Sequence, residues 1–148
     1  VLFRSIKYRS TTIYIKPSHI LRKILKILIL EDCPQRTVLF NKKLAGSNEV
    51  KIVTTAKECI ELLETRKWDA LFLDHDLGGE TFVPSEHQNT GYTVACWLEA
   101  HPEYCPAIIK VHSLNPTGAQ RMLQALPDTA VYEPGLWLDS VILVGNKK

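Results

Sequence analysis

The sequence predicts an α/β fold of three layers, in which helices cover both faces of a central five-stranded parallel sheet. From residue 24 onwards, short apolar runs alternate with amphipathic stretches, a pattern typical of parallel strands joined by helical crossovers. The first run, Ile24–Leu30, is apolar at almost every position, as expected of a strand covered on both faces. Acids and histidines follow several runs directly, and parallel sheets bind ligands beyond the carboxyl ends of their strands.

Five strands and four helices are expected in order along the chain. The predicted strands are Ile24–Leu30, Val50–Val53, Trp68–Leu73, Ala107–Val111 and Ala130–Tyr132. The predicted helices are Pro34–Leu44, a segment that begins after Thr55, Gly91–Ala100 and Pro116–Leu126.

Local signals mark where several of these helices begin and end. Gly46 ends the first helix, and Thr55 and Glu58 have the spacing of a capping box at the start of the second. Asn115 followed by Pro116 indicates an N-cap and a first helical position. After the fifth strand, residues 138–144 are apolar and β-branched, and whether a final helix completes the fold stays open on sequence grounds.

Length and composition indicate one globular domain behind a basic extension. The 148 residues are 45% hydrophobic and 23% charged, which suits one full core. The first 30 residues hold seven of the 18 basic side chains and no acid. We therefore divide the chain into an extension, residues 1–23, and a domain, residues 24–148. The extension could touch nucleic acid or anionic lipid. A solvated or non-native segment is favoured, since Leu2-Phe3-Arg4-Ser5 matches a translated sequencing adapter.

The sequence offers no sign of a membrane span or a zinc site. No apolar run reaches the roughly 20 residues that a spanning helix needs. The cysteines lack CxxC spacing, and Cys59 and Cys96 fall on apolar helical faces, which favours reduced core thiols. We expect a cytoplasmic protein without a membrane partner.

Polar residues meet at one edge of the predicted sheet. They are Glu31 and Asp32 after the first strand, Asp74, His75 and Asp76 after the third, and His112, Ser113 and Asn115 after the fourth. Acids this close repel one another unless a cation is present, and a hard divalent ion, Mg²⁺ or Mn²⁺, would remove that cost. The acids therefore predict a metal site formed by Glu31, Asp32, Asp74 and Asp76. For Glu31, a helix cap or a lysine partner is an equal alternative.

This arrangement resembles the receiver (flavodoxin-like) fold of response regulators over about residues 24–135. The resemblance implies that Asp32 is a metal ligand supported by Glu31, and that Asp74 occupies the phosphoacceptor position. Receivers place Ser or Thr after the fourth strand, where His112-Ser113 stands here. They also place Lys before Pro after the fifth strand, where this chain has Glu133-Pro134. These departures weaken the expectation of a conventional phosphorelay.

The motifs are more similar to a divergent branch, the cyclic-phosphate processing receiver domain. Three strings carry the likeness: Leu73-Asp74-His75-Asp76-Leu77-Gly78-Gly79-Glu80, Thr90-Gly91, and His112-Ser113-Leu114-Asn115-Pro116-Thr117-Gly118-Ala119. The resemblance implies a substrate class, the cyclic phosphates. We therefore expect a metal-dependent phosphoesterase or ligand-processing domain that binds or processes cyclic or terminal phosphates of nucleotides.

The residues suit such chemistry. Opening a cyclic phosphate needs a base, an acid and neutralisation of charge. Asp74 with the metal, and His75 and His112 as base and acid, would supply these. Ser113 and Asn115 could donate to phosphate oxygens, helped by amides at the next helix start, including that of Gly118.

Two other functions stay open on sequence grounds. The chain could be a phosphoacceptor switch that docks a protein partner after phosphorylation of Asp74. It could instead be a degenerate receiver that acts only as a protein-binding module. The missing lysine and the additional histidines favour the enzyme over the switch, and the crowded acids argue against the module.

Overall fold

The computed structural model describes residues 4–8, 11–15 and 22–138 of the chain. In the N-terminal extension, strands β1 (Arg4–Tyr8) and β2 (Thr11–Ile15) pair antiparallel as a separate two-stranded sheet. Whether residues 1–23 are native to the protein stays a prediction.

The main sheet of the described residues has five parallel strands, as predicted. They are β3 (Lys26–Leu30), β4 (Glu49–Val53), β5 (Ala70–Leu73), β6 (Ile108–Val111) and β7 (Val131–Tyr132). Their order in the sheet is β4-β3-β5-β6-β7. β3, which comes first along the chain among these five strands, therefore lies between β4 and β5, and the strand order reverses beside β3 and β5. This reversal is where ligands of open α/β sheets bind.

Four α-helices connect these strands within the described residues. They are α1 (Pro34–Leu44), α2 (Ala56–Thr65), α3 (Gly91–Ala100) and α4 (Pro116–Ala125), with a short 3₁₀ turn at Pro102–Tyr104. The predicted caps are confirmed, because the side chains of Thr55 and Asn115 accept from the backbone N–H groups of Glu58 and Gly118. Among the described residues, no helix is both long and apolar enough to cross a bilayer.

Alternation along the strands divides the core into two layers. Leu28, Leu30 and Leu73 pack on the face that α2, α3 and α4 cover. Ile29 and Phe72 point to the other face and pack with α1. Both faces are buried, which explains why these strands read as continuous apolar runs.

The segment that follows β7 completes the second layer. Leu136 and Trp137 are buried against the α1 side of the sheet. Within the described residues no helix follows β7, and residues 134–138 form turns instead. Most of the predicted apolar run over 138–144 lies outside the described residues.

The cysteines agree with the expectation of reduced thiols. All four are free, and all four lie within the described residues. Cys59 is fully buried, and burial raises the pKa of its thiol. Cys96 is only partly buried.

Gly91 allows α3 to start directly against the end of β5. A Cβ at this position would lie 1.9 Å from the carbonyl oxygen of Asp74 and 2.8 Å from Cε of Met122. The backbone N–H of Gly91 donates to the carbonyl oxygen of His75 at 3.0 Å. Only glycine fits this close approach of helix to strand.

We predict that Gly91→Ala lowers the free energy of unfolding by about 3 kcal/mol or more, because the backbone oxygen it meets cannot move aside cheaply. Urea unfolding of the variant and the wild type measures the difference. Gly46→Ala is the matched control, since a Cβ there meets nothing within 4 Å. Equal losses in the two variants would contradict this account of the α3 start.

Candidate functional site

Three carboxylates meet at the carboxyl edge of the sheet. Ligand atoms of Glu31, Asp32 and Asp74 lie within 4.8 Å of one another, and we call these residues the acid cluster. The sheet ladder continues into them, since Glu31 N donates to Val53 O at 2.9 Å and Asp74 N donates to Leu30 O at 3.0 Å. The ends of β3 and β5 therefore fix the backbone positions of Glu31 and Asp74, as the sequence predicted.

Glu31 is fully buried and has a partner on each oxygen. Its Oε1 accepts from the backbone N–H of Cys33 at 2.9 Å and pairs with Arg36 at 2.9 Å. Its Oε2 lies 3.1 Å from Nε2 of His112. The alternative of a cap or a pairing role for Glu31 is thus partly realised, with an arginine and a histidine in place of a lysine.

Asp74 is equally buried, and its carboxylate is held from two sides. Oδ1 accepts from the backbone N–H of His75 at 2.8 Å, and Oδ2 pairs with Nη2 of Arg36 at 2.8 Å. Burial raises the pKa of Asp74, and the charge of Glu31 adds to this effect, while His112 and Arg36 oppose it. A carboxyl group with a raised pKa is a better proton acceptor than an ordinary aspartate.

Arg36 is the site residue that the sequence analysis missed. Its Nη2 bridges Glu31 and Asp74, and its guanidinium carbon lies 4.8 Å from the centroid of the Trp137 ring. One sequence signal could have indicated it. Arg36 lies in the first turn of α1, which contains no acid, and a cation there opposes the helix dipole unless it has another partner.

His112 contacts the acid cluster from the buried interior of the protein. It has no exposed surface, and its ring packs edge-on against Phe40 and Trp137. Its Nε2 must donate to Glu31, because a carboxylate only accepts, and its Nδ1 has no hydrogen-bond partner. Of the two residues considered for the receiver Ser/Thr position, His112 contacts the acid cluster and Ser113 does not.

His75 belongs to a buried network that anchors the loop between β5 and α3. Its Nδ1 lies 2.7 Å from Oδ1 of Asp76, and its Nε2 lies 2.9 Å from Oγ of Ser85. Both ring nitrogens are therefore used inside the protein, and the side chain is fully buried. His75 and His112 were candidates for base and acid, but their placement supports positioning of neighbouring groups rather than direct proton transfer.

Asp76 lies outside the acid cluster, although the sequence analysis grouped it with the metal ligands. Its oxygens accept from the backbone N–H groups of Phe82 at 2.7 Å and Val83 at 3.1 Å, and from Nδ2 of Asn115 at 3.1 Å. Burial opposes ionisation, but hydrogen bonds from His75, Asn115 and Phe82 outweigh it and lower the pKa of Asp76. Its carboxylate fastens the loop.

The three residues expected to bind phosphate also support this network. Ser113 Oγ is buried and accepts from the backbone N–H of Asn115 at 3.1 Å. Asn115 caps α4 through Oδ1 and uses Nδ2 on Asp76. A Cβ on Gly118 would lie 2.4 Å from Cγ of His75, so this glycine makes room for the imidazole ring.

A cleft of about 270 Å³ opens beside the acid cluster. It is lined by Arg36 of α1 and Asp74 at the end of β5, and by Glu80 and Thr81 of the loop between β5 and α3. A cleft of about 310 Å³ near Arg66 and Tyr104 is slightly larger but lacks the acid cluster. We assign function to the first cleft, because parallel sheets bind ligands at the carboxyl edge.

The acid cluster fits a divalent cation. Its three residues offer only oxygen ligands, which Mg²⁺ and Mn²⁺ prefer. With all three ionised, the single positive charge of Arg36 leaves two negative charges, and a divalent ion would balance them. Asp32 is the least buried of the three, and one of its oxygens accepts from Gly79 N at 2.7 Å.

A comparison with protein families agrees with the motifs. A family model described as the cyclic-phosphate processing receiver domain matches residues 26–128. A search of curated proteins found no match.

Solved structures with the same fold are receiver domains. One is the receiver domain of a sensor histidine kinase from Pseudomonas aeruginosa, described with a magnesium ion coordinated in its active site cleft. It has a TM-score of 0.60 and 19% identity, and the match covers 76% of this chain and 86% of that one. A CheY-like receiver domain from Methylobacillus flagellatus has a TM-score of 0.57 and 17% identity over 76% of this chain and 87% of that one. The response regulator TrrA from Thermotoga maritima, in complex with Mg²⁺-BeF, has a TM-score of 0.56 and 16% identity over 75% and 86%. At these identities the likeness establishes the fold.

We predict that Asp76→Asn destabilises the protein by about 1–3 kcal/mol at pH 7, because it weakens several charge-assisted hydrogen bonds. The folded protein lowers the pKa of Asp76. Its stabilising contribution is therefore present above the pKa of the unfolded chain and is lost as the pH falls through the folded value.

Urea unfolding at a series of pH values measures this effect. The gap between wild type and Asp76→Asn should narrow on acidification. Asp128→Asn, at an exposed position, should give no such gap. A gap that stays constant down to the lowest pH at which the protein folds would contradict the role given to the Asp76 carboxylate.

Proposed function

This chain belongs to the family of cyclic-phosphate processing receiver domains, and from that membership we propose that it binds a divalent cation and opens a cyclic phosphate of a nucleotide. The observation that carries the proposal is the acid cluster. It gathers Glu31, Asp32 and Asp74 at the strand-order reversal, beside a cleft large enough for a phosphate and part of a sugar.

A divalent ion, most suitably Mg²⁺ or Mn²⁺, would neutralise the phosphate and provide a bound water molecule. Asp32 and Asp74 are the carboxylates that hold it in this proposal, and Glu31 supports them. Buried neighbours fix their orientation, since His112 donates to Glu31 and the His75 backbone donates to Asp74.

Asp74 is the proposed catalytic residue. It lines the cleft beside the proposed position of the ion, where a carboxylate would accept a proton from an attacking water. His75 acts through Asp76 on the loop that borders the same cleft. For either histidine to transfer a proton itself, the packing that buries its ring would have to open.

The phosphoacceptor switch is the second candidate function. The position of Asp74 at the end of the central strand favours it, as does the fold shared with the beryllofluoride-bound receiver from Thermotoga maritima. Against it stands Glu133, which pairs with Lys110 at 2.8 Å where a conventional receiver offers a free lysine to the phosphoryl group.

We predict that wild-type protein binds Mg²⁺ and Mn²⁺, and that Asp74→Asn and Asp32→Asn each weaken binding at least about tenfold, since each removes a charged oxygen ligand. Calorimetric titration of both ions measures the dissociation constants. Binding should also weaken on acidification, because the raised pKa of Asp74 lets a proton compete with the ion. Asp128→Asn should bind as wild type does. Binding unaffected by both acid-cluster substitutions would exclude this site.

We predict that wild-type protein with Mg²⁺ or Mn²⁺ hydrolyses 2′,3′-cyclic AMP to a monophosphate, and that Asp74→Asn abolishes turnover. Chromatography of the products measures the reaction. Asp128→Asn, which also removes one negative charge, is the control and should hydrolyse the substrate as wild type does. Stable labelling of Asp74 by acetyl phosphate, with no turnover of any 2′,3′-cyclic nucleotide, would favour the switch instead.

A further inference from the structure

We propose that Arg36 is an internal counter-ion that a divalent cation displaces, and that the displaced guanidinium then binds the phosphate of the ligand. The inference rests on the proposed function of the same site. It adds a specificity-determining residue and an order of events, in which the metal precedes the anion.

Arg36 occupies one oxygen of Asp74, a proposed ligand of the ion, and one oxygen of Glu31, which supports that ligand. Its Nη2 lies 2.9 Å from Oε1 of Glu31 and 2.8 Å from Oδ2 of Asp74. A cation bound at Oδ2 of Asp74 and a guanidinium at hydrogen-bond distance from the same oxygen would repel each other at short range. Binding of the ion must therefore push Arg36 off at least one carboxylate.

The guanidinium also contacts the aromatic face of Trp137, and it can keep this contact when it leaves the carboxylates. Its carbon lies 4.8 Å from the centroid of the Trp137 ring, and an arginine on an aromatic face keeps a favourable contact when its hydrogen-bond partners change. The side chain is 17% exposed and lines the cleft. The guanidinium of Arg36 can thus rotate from the carboxylates toward the ligand while it stays in contact with the Trp137 ring.

Arg36 also has a donor to offer. Its Nε is buried and has no hydrogen-bond partner, and a buried N–H without an acceptor is unfavourable. A phosphate has several acceptor oxygens and matches the guanidinium fork in a bidentate manner. Such a contact would use the Nε–H group that the metal-free protein leaves unpaired.

A ligand phosphate in the cleft would need a positively charged side chain as its partner. Glu133 stands where conventional receivers have a lysine, and its carboxylate is paired with Lys110. Arg36 comes from a different element, the first turn of α1, but lines the same cleft as Asp74. It can therefore neutralise phosphate charge without that lysine.

The first test is the affinity for Mg²⁺ of full-length Arg36→Met. We expect binding about tenfold tighter than in wild type, because the competing positive charge is gone. Lys42→Met, an exposed basic residue later on α1, is the matched control and should bind as wild type does. Equal affinity in Arg36→Met and wild type would overturn the displacement.

The second test is spectroscopic. Mg²⁺ should change the Trp137 emission of wild type, and the change should be absent from Arg36→Met and from Trp137→Phe. Saturation of wild type with Mg²⁺ and no change in emission would mean that Arg36 stays in place, and would overturn the proposal.

The third test uses inorganic phosphate at saturating Mg²⁺. Arg36→Met should bind it at least about tenfold more weakly than wild type and Lys42→Met do. Arg36→Lys keeps a point charge but lacks the fork, so it should fold as wild type does and bind phosphate with intermediate affinity. Equal phosphate affinity in wild type and Arg36→Lys would overturn the bidentate contact, even if Arg36→Met fails to fold.

These results separate the two levels of the proposal. If wild type binds neither Mg²⁺ nor Mn²⁺, the proposed function itself fails. If wild type binds the ion through Asp74 while Arg36 substitutions change neither ion nor phosphate affinity, the function stands and the role of Arg36 fails.

Discussion

Glu31 and Asp74 lie side by side at the carboxyl edge of the sheet with almost no exposure to water. Two ionised carboxylates cannot share such a place unless positive charge and hydrogen bonds compensate them. Arg36 bridges the pair, His112 donates to Glu31, and backbone amides of Cys33 and His75 complete the set. Much of the surrounding structure serves this compensation. α1 starts where it can deliver Arg36, and the segment after β7 places Trp137 under the guanidinium.

A second layer of polar contacts keeps the loop over the site in one conformation. Asp76 accepts from two loop amides, from Asn115 and from His75, and Ser85 closes the chain on the far side of the imidazole. Because His75, Ser85 and Asn115 are buried, each hydrogen bond that they left unmade would be costly. The loop that borders the cleft is thereby joined to the start of α4. A ligand that moved Asp76 would disturb the cap of that helix as well.

The two histidines show why residue type and strand position do not fix a catalytic role. Both follow strands that lead to the site, and imidazole as a class suits acid and base catalysis near neutral pH. Yet each ring is enclosed. One packs between Phe40 and Trp137, and the other packs against Gly118. Their nearest contacts are with Glu31 and Asp76, so the side chains that would meet a ligand in the proposed function are those that line the cleft, chiefly Asp74 and Arg36.

The sequence by itself determined the parallel sheet, the bounds of α1 and α3, the caps at Thr55 and Asn115, and the meeting of Glu31, Asp32 and Asp74. These follow from apolar runs, amphipathic spacing and capping residues, which are patterns among a few neighbouring positions. Only the tertiary structure decided that Arg36 bridges two acids, that Asp76 serves the loop, and that both histidines are buried. The contact of His112 with Glu31 joins residues 81 positions apart. Such contacts depend on how separate elements pack against one another. A local sequence pattern therefore does not predict which distant side chain will lie beside a given residue.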